Sequence, residues 1–159
     1  MDRLEALTDL CAELNNYFCD EDEDAVRGKF EISSGTISPA VSLLTDQYYR
    51  ISGSVFNDGV HINDGTSLKD EPEFCGTVFK MRIPLQVIRL ADEIAAWRDK
   101  NESVDSANMS PFQSESFGIY SYSKGSSGQS KNGGAGATAV RWQNQFAAEL
   151  NKYRRLWGI

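Results

Sequence analysis

The period of the apolar residues changes twice along this chain, and these changes constrain its fold more than any other feature. Apolar side chains recur every three or four positions over residues 3 to 18, every two positions over 28 to 83, and every three or four again over 84 to 99. The longer period is typical of an amphipathic helix and the shorter one of a β-strand with one buried face. The sequence therefore predicts an α+β protein with an antiparallel β module between helices.

The first two predicted helices each have a recognisable start. Asp2 is placed to cap the helix over residues 3 to 18. The apolar stripe of this helix comprises Leu4, Leu7, Leu10, Cys11, Leu14, Tyr17 and Phe18. Pro84 opens the helix over residues 84 to 99, at the position where its missing N–H costs least. The stripe of the second helix comprises Val87, Leu90, Ala91, Ile94, Ala95 and Trp97.

The β module is predicted from segments rich in β-branched and aromatic residues. These segments are "KFEISSGTI", "QYYRISGSVF", "VHI" and "CGTVFKMRI". Asn57-Asp58-Gly59 and Asn63-Asp64-Gly65 are turn tripeptides that tolerate positive φ. We therefore expect the second and third strands to form a tight hairpin.

Residues 101 to 137 differ from the rest because they collect Ser, Gly, Asn and Gln without a sustained period. Such a composition cannot bury enough apolar surface to order itself, so an extended arm is predicted. A last helix follows over 138 to 157, with Thr138 as its cap and about five turns. Its stripe comprises Ala139, Trp142, Phe146, Leu150, Tyr153 and Trp157. With 159 residues, 40% of them apolar, the chain is expected to be a single domain.

The net charge of −7 argues against a protein whose main role is to bind nucleic-acid phosphates. The charge is also uneven, because residues 1 to 24 contain nine acids and only one basic residue, whereas residues 137 to 159 contain four basic residues and one acid. Two explanations are open. The ends attract each other within one chain, or the basic end of one subunit meets an acidic neighbour in an assembly.

The three cysteines, at positions 11, 19 and 75, match no zinc template and are predicted to be reduced thiols in the core. The N-terminus begins with charged residues, and no apolar run approaches the roughly 18 residues that span a bilayer. We therefore expect no membrane segment and synthesis in a cytoplasm.

His61 is the one histidine, and it stands between Asp58 and Asp64, so a base with a carboxylate partner is conceivable. A histidine on a hairpin of this composition is usually solvated, however. Ser52 and Ser54 are nearby, but neither belongs to a Gly-x-Ser-x-Gly nucleophile turn. We expect no catalytic residue here.

Two further segments fail the tests for ligand sites. The "DEDED" run at residues 20 to 24 lacks the spaced ligands, glycine and distal glutamate of an EF-hand loop, so a solvated acidic loop is predicted. The "GSSGQSKNGGAGAT" tract at 125 to 138 precedes a predicted helix, but it lacks the P-loop pattern and a preceding strand. The sequence therefore predicts no metal, no cofactor and no enzymatic activity.

The aromatic residues Phe117, Tyr120 and Tyr122 are unexpected within so polar an arm. One explanation is that they fold back onto the β module of their own chain. The other is that they contact a neighbouring subunit, because an extended segment with aromatics at intervals suits strand addition or a latch across an interface. Tyr120 and Tyr122 are expected to share one strand face.

Four stretches carry a resemblance to a known family. They are "QYYRISGSVFNDGVHIND", "EFCGTVFKMRIPLQVIRLADEIAAW", "SPFQSESFGIYSYS" and "LNKYRRL". Together they resemble a protein from the structural gene cluster of tailed bacteriophages and prophages of Gram-positive bacteria. The last two stretches are similar to the C-terminal half of head-tail connector proteins of the neck-adaptor group. The resemblance covers most of residues 47 to 156, although that group is dominated by helices.

This resemblance implies a structural virion protein at the neck, the interface of head and tail. Subunits of the family form a ring, usually twelvefold, that joins the portal to the stopper or tail, and genomic DNA passes through its channel without sequence-specific binding. The implied subunit-interface residues are Ser114, Glu115, Ser116, Phe117, Tyr120, Ser121 and Tyr122. The implied portal-binding residues are Tyr153, Arg154 and Arg155, and we expect Trp142 and Trp157 of the same helix to join them.

Two other functions remain open at this stage. The first is another neck or tail-completion protein, such as a stopper, which would make its contacts below the adaptor. The second is a small hydrolase or ligand-binding protein that uses the His61 hairpin.

Overall fold

The computed structural model describes residues 1–102 and 140–156, together with the backbone of residues 114–117 and 120–123. The described elements are, in order, α1 (Arg3–Leu14), β1 (Ala25–Ser33), β2 (Thr36–Ser38), β3 (Tyr48–Ser52), β4 (Gly59–Ile62), β5 (Glu71–Lys80), α2 (Leu85–Asn101), β6 (Ser114–Phe117), β7 (Tyr120–Ser123), α3 (Trp142–Gln145) and α4 (Ala147–Tyr153). The predicted α+β class is confirmed, with helices at the N-terminus, in the middle and at the C-terminus.

The first five strands form one antiparallel sheet in the order β2-β1-β5-β3-β4, which curves into a half-barrel. β5 lies at the centre, paired with β1 on one side and with β3 on the other. The pairing of β3 with β5 ends where Ser52 lies opposite Thr77, although β5 begins six residues earlier, at Glu71. The chain that follows β3 therefore leaves the sheet beside the first half of β5.

The segment predicted as one strand, "KFEISSGTI", is instead a hairpin of β1 and β2. Ser34 and Gly35 connect the two strands, with φ values of 52° and 74°. Positive φ at both central residues is the geometry of a two-residue hairpin turn whose twist matches its strands. The apolar alternation of Phe30 and Ile32 changes phase at Ile37, and the prediction of a single strand overlooks this change.

α1 ends at Leu14, four residues before the predicted end. Asn15 adopts a left-handed conformation with φ of 50°, and its N–H bonds back to a carbonyl of the last turn. Tyr17 and Phe18 still pack against the same apolar core, but outside the helix. At the N-terminal end of α1, Asp2 occupies the N-cap position as predicted, but its side chain forms no capping hydrogen bond.

α2 begins at Leu85, with Pro84 at its N-cap and not inside the helix as predicted, and it ends at Asn101, two residues beyond the predicted end. Its buried residues are Val87, Leu90, Ala91, Ile94 and Ala95. α2 packs against α1, and ion pairs join the two helices at their surface. The Arg3 Nε lies 2.6 Å from a carboxylate oxygen of Asp92, and the Arg98 Nη1 lies 2.6 Å from one of Asp9. One pair thus joins a base of α1 to an acid of α2, and the other joins an acid of α1 to a base of α2.

The predicted C-terminal helix is not continuous in the described residues. It consists of α3 and α4, which are separated at Phe146, where φ is −104° and ψ is 18°. α4 ends at Tyr153, and Arg154 is extended. Thr138, the predicted cap, lies outside the described residues, as does most of the predicted arm.

The buried apolar residues form two clusters. The first, which we call the helical core, lies between the helices and one side of the sheet; it contains Ala6, Leu7, Leu10, Cys11, Leu14, Val60, Met81, Val87, Leu90, Ala91, Ile94, Ala95, Trp142 and Leu150. The second, the sheet core, contains Phe30, Ile32, Tyr49, Ile51, Phe74 and Val78. β4 contributes Val60 to the helical core, whereas β1, β3 and β5 supply the sheet core. Of the cysteines predicted in the core, Cys11 is buried there, but Cys75 is exposed, so that prediction is wrong for Cys75.

Candidate interaction surface

The predicted subunit-interface segment includes a small antiparallel hairpin of β6 and β7. Its register places Phe117 opposite Tyr120 and Glu115 opposite Tyr122. Because directly opposed residues of an antiparallel pair share a face, these four positions fall on one face of the ladder and the four serine positions on the other. The prediction that Tyr120 and Tyr122 share a face agrees with this register, while their role at an interface stays a prediction.

Two of the predicted portal-binding residues contribute to the chain's own core. Trp142 is 5% exposed and lies in the helical core, with the Arg98 guanidinium 6.0 Å from the centre of its ring. Tyr153 is half-buried and packs edge-on against Phe18, with ring centres 6.5 Å apart. In this conformation, the side chain of Trp142 offers almost no surface to a partner.

The next two residues are closer to solvent. Arg154 donates from Nη2 to a carboxylate oxygen of Glu13 at 2.7 Å, which joins the basic C-terminus to the acidic N-terminal helix. Arg155 donates its backbone N–H to the Leu14 carbonyl at 2.9 Å, while its side chain is exposed. Trp157 lies outside the described residues. Of the two explanations for the uneven charge, the structure shows the contact within one chain at Arg154.

His61 is placed for packing in the described structure. Its Nε2 lies 2.7 Å from the carbonyl oxygen of Asn57, an acceptor, so Nε2–H is the donor. Its ring stacks on that of Tyr49 with centres 5.5 Å apart. The carboxylates that flank it in sequence bond elsewhere: Asp58 accepts the N–H of Gly53. Asp64 accepts from Thr66, whose hydroxyl and N–H lower the pKa of that carboxyl.

The most elaborate polar arrangement lies in the connection between β3 and β4, residues 53–58, which we call the 53–58 loop. Its first residue, Gly53, and the residue after it, Gly59, both have positive φ, at 96° and 127°. A Cβ on Gly53 would come within 2.7 Å of the Cys75 carbonyl oxygen, so β5 also excludes a side chain there. The Asp58 carboxylate accepts the Gly53 N–H at 2.9 Å and closes the loop. The predicted hairpin forms, since β3 and β4 pair antiparallel, but its turn is not tight: β3 ends at Ser52, and the six residues of this loop connect the two strands.

The Glu71 carboxylate, at the start of β5, holds this loop from inside. One oxygen accepts the Val55 N–H at 2.7 Å, and the other accepts the Ser54 hydroxyl and, at 3.1 Å, the Asn57 side-chain amide. The Phe56 N–H points to the same oxygen at 3.4 Å. Successive backbone N–H groups that converge on one anion form a nest, and here the anion belongs to the protein itself.

Asn57 ties the loop to the irregular segment that precedes β5. Its side-chain amide also donates to the Lys69 carbonyl at 2.9 Å, and its side-chain oxygen accepts the Lys69 N–H at 2.8 Å. Asn57 is almost completely buried, like Ser54 and Glu71. Across the described residues, every buried side-chain nitrogen or oxygen has a hydrogen-bond partner. This polar cluster is therefore fully satisfied, which makes it a source of rigidity.

Two opposing effects set the ionisation of Glu71. Desolvation, the largest, raises the pKa of a carboxyl group, but the hydrogen bonds from Ser54, Val55, Asn57 and Phe56 favour the charged form. The hydrogen bonds outweigh desolvation, and the pKa of Glu71 lies below its ordinary value of 4.5. Glu71 is therefore an anion near neutral pH, and its lone pairs are occupied by the loop.

The apolar side chains of the 53–58 loop point outward. Val55 is 79% exposed and Phe56 is 58% exposed. An ordered loop with adjacent exposed apolar side chains is what an interaction site requires, because little conformational entropy is lost when a partner binds. We therefore regard this loop as the candidate interaction surface.

Sequence reasoning missed this surface for identifiable reasons. Val55 and Phe56 extend the apolar run of β3, so the sequence predicts a strand at these positions. Gly53 was the available signal, since a glycine inside a strand pattern often marks an irregularity. Glu71 stands within a charged stretch, "KDEPE", and its sequence does not indicate a carboxylate that turns inward.

No protein-family model matches the chain, and neither the curated proteins nor the solved structures include one with significant similarity to it. Within residues 1–102 and 140–156, no group of three or more His, Cys, Asp or Glu side chains is arranged to hold a metal ion. None of the helices described is both long enough and apolar enough to cross a membrane.

Proposed function

We propose that this chain is a structural protein of the bacteriophage neck, a head-tail connector whose subunits form a ring between the portal and the stopper or tail. The observation that carries this proposal is the 53–58 loop. Its buried carboxylate is fully engaged in holding the exposed Val55 and Phe56 in place, an arrangement that favours binding over catalysis. The resemblance of residues 47 to 156 to connector proteins supplies the kind of assembly.

The arrangement around His61 also favours an interaction protein over a hydrolase. His61 donates to a backbone carbonyl and stacks on Tyr49. A general base needs a nitrogen that can accept a proton from a substrate or nucleophile. In this tautomer, Nδ1 is the nitrogen that would have to accept that proton. Neither neighbouring carboxylate assists it, because Asp58 and Asp64 bond to other groups.

The charge of the chain suits a protein that surrounds DNA without holding it. Each subunit has a net charge of −7, so a ring of subunits repels phosphates, whereas a basic lining would bind them through counterion release. DNA would pass through such a channel without sequence-specific contacts. The arm over residues 101 to 137 adds aromatic residues that we propose contact a neighbouring subunit.

The test is co-sedimentation of the purified protein with portal rings encoded in the same genome, followed by negative-stain imaging of the pelleted species. We expect a ring stacked on the portal, and portal rings of an unrelated phage serve as the control. A protein that ignores its own portal at concentrations well above those of an infected cell would contradict the connector assignment. Binding to stopper or tail components instead would support another neck or tail-completion protein.

A further inference from the structure

We propose that the 53–58 loop of one subunit binds the C-terminal residues Arg155 and Leu156 of a second copy, in a head-to-tail contact. This inference rests on the proposed function, since it supplies the subunit contact that a ring needs. It also assigns Arg155 to a neighbouring subunit, where the resemblance implied the portal.

The first half of the argument is the character of the loop. Its tip is apolar, with Val55 and Phe56 exposed next to each other. Its base is acidic: the exposed carboxylates of Asp58 and Asp70 accept hydrogen bonds only from the backbone N–H groups of Gly53 and Gly35. Within the described residues, neither of these two carboxylates forms an ion pair. The surface therefore fits a partner that offers both an apolar side chain and a cation.

The second half of the argument is that the chain carries such a partner at its own C-terminal end. Leu156 is 62% exposed, and the side chain of Arg155 beside it is exposed and forms no ion pair with the described residues. The backbone at Arg155 is held by its bond to the Leu14 carbonyl. An apolar residue and a cation are thus presented together on a fixed stretch of chain.

The positions of the two surfaces determine the kind of assembly. Gly59, at the end of the loop, lies against Thr8 in the middle of α1, whereas Arg155 is bonded at Leu14, the last residue of that helix. The loop and the C-terminal residues are therefore different surfaces of one subunit. When the loop and the C-terminal residues of one subunit bind two different neighbours, the contact is heterologous, and repeating it produces a closed ring or an open filament.

The test uses two variants whose defects lie on opposite sides of the contact. The loop variant carries Val55→Ser and Phe56→Ser, and the tail variant carries Arg155→Glu and Leu156→Ser. All four substituted side chains are exposed, so we expect both proteins to fold, as thermal unfolding would verify. Leu44→Ser is the matched control, because Leu44 is 74% exposed and lies outside the proposed contact.

Sedimentation velocity over a range of concentrations, without portal, gives the readout. We expect wild type and Leu44→Ser to associate equally, and each contact variant alone to weaken association at least about 10-fold. An equal mixture of the two variants should form a dimer and stop there, because it contains one intact loop surface and one intact tail surface for each pair. Wild type that stays monomeric, or a mixture that forms no dimer, would overturn the contact.

The outcome is separable from that of the portal experiment. A mixture that forms no dimer, together with wild type that binds the portal, would reject this contact and leave the connector function standing. A dimer in the mixture, together with wild type that ignores the portal, would support the contact and reject the connector function.

Discussion

In the helical core, Leu7, Leu10 and Ile94 have no exposed surface, whereas in the 53–58 loop Val55 and Phe56 are mostly exposed. The core is ordered by apolar contact, and the loop by hydrogen bonds to the Glu71 carboxylate. Stability and binding should therefore depend on different regions of the protein. Changes of volume in the core should alter stability, and changes of polarity at the tip of the loop should alter binding.

The largest effect on stability is expected from a cavity in the helical core. Ile94→Ala removes a fully buried side chain, so the free energy of unfolding should fall by about 2–5 kcal/mol. Chemical denaturation measures this change. Leu44→Ala, at an exposed position, should cost less than about 0.5 kcal/mol. A loss at Ile94 no larger than that at Leu44 would contradict the assignment of the core.

A smaller loss is expected when the polar support of the loop is broken. Asn57→Ala leaves the part-buried N–H and carbonyl of Lys69 without their partner and removes one donor from the buried Glu71 carboxylate, which costs about 1–3 kcal/mol in the free energy of unfolding. Asn63→Ala is the control, because it removes one exposed hydrogen bond to the Leu44 carbonyl. Equal losses in the two variants would show that the Asn57 cluster contributes no more than a surface contact.

The ionisation of Glu71 adds a dependence on pH. Its pKa is lowered in the folded state, so the unfolded chain takes up a proton first as the pH falls. Above pH 4.5, the ordinary pKa of a glutamate, the charged form contributes its full stabilisation. This stabilisation is lost as the pH falls from 4.5 through the lower pKa of the folded state. Urea unfolding of wild type should therefore depend more steeply on pH below 4.5 than that of Glu71→Gln. Parallel curves would contradict a lowered pKa.

The smallest effect on stability is expected at the tip of the loop. Phe56→Ser replaces an exposed ring, so the free energy of unfolding should change by no more than about 0.5 kcal/mol. Denaturation of this variant beside Phe30→Ser, which alters the buried sheet core, checks the comparison directly. A loss at Phe56 close to that at Phe30 would mean that the ring supports the fold.

The sequence was sufficient for the fold wherever apolar period and local chemistry agree. Pro84 and the stripe that follows it predicted α2, and the period of two predicted the β module. The break at Phe146 was not predictable, because the apolar stripe continues through it. The ring of Phe146 packs edge-on against Trp97 at 6.4 Å, a tertiary contact that is invisible in sequence.

The candidate surface was less accessible to sequence reasoning than the fold. Glu71 lies 16 residues from Val55, and nothing local indicates that this carboxylate reaches the amides of the loop. The local sequence does not reveal the contacts of Ser54 and Asn57 either, because both residue types are common in ordinary turns. Hydrogen bonds between distant segments, rather than composition, decide that the loop is ordered and that its apolar residues face outward.

The central claim is that a buried carboxylate, and not apolar burial, holds the 53–58 loop. Hydrogen exchange of the Val55 amide, followed by NMR on wild type and Glu71→Gln at neutral pH, tests it most directly. We expect a protected amide in wild type and much faster exchange in Glu71→Gln, with the amides of the helical core unchanged. Fast exchange of this amide in wild type, or equal protection in both proteins, would contradict the claim.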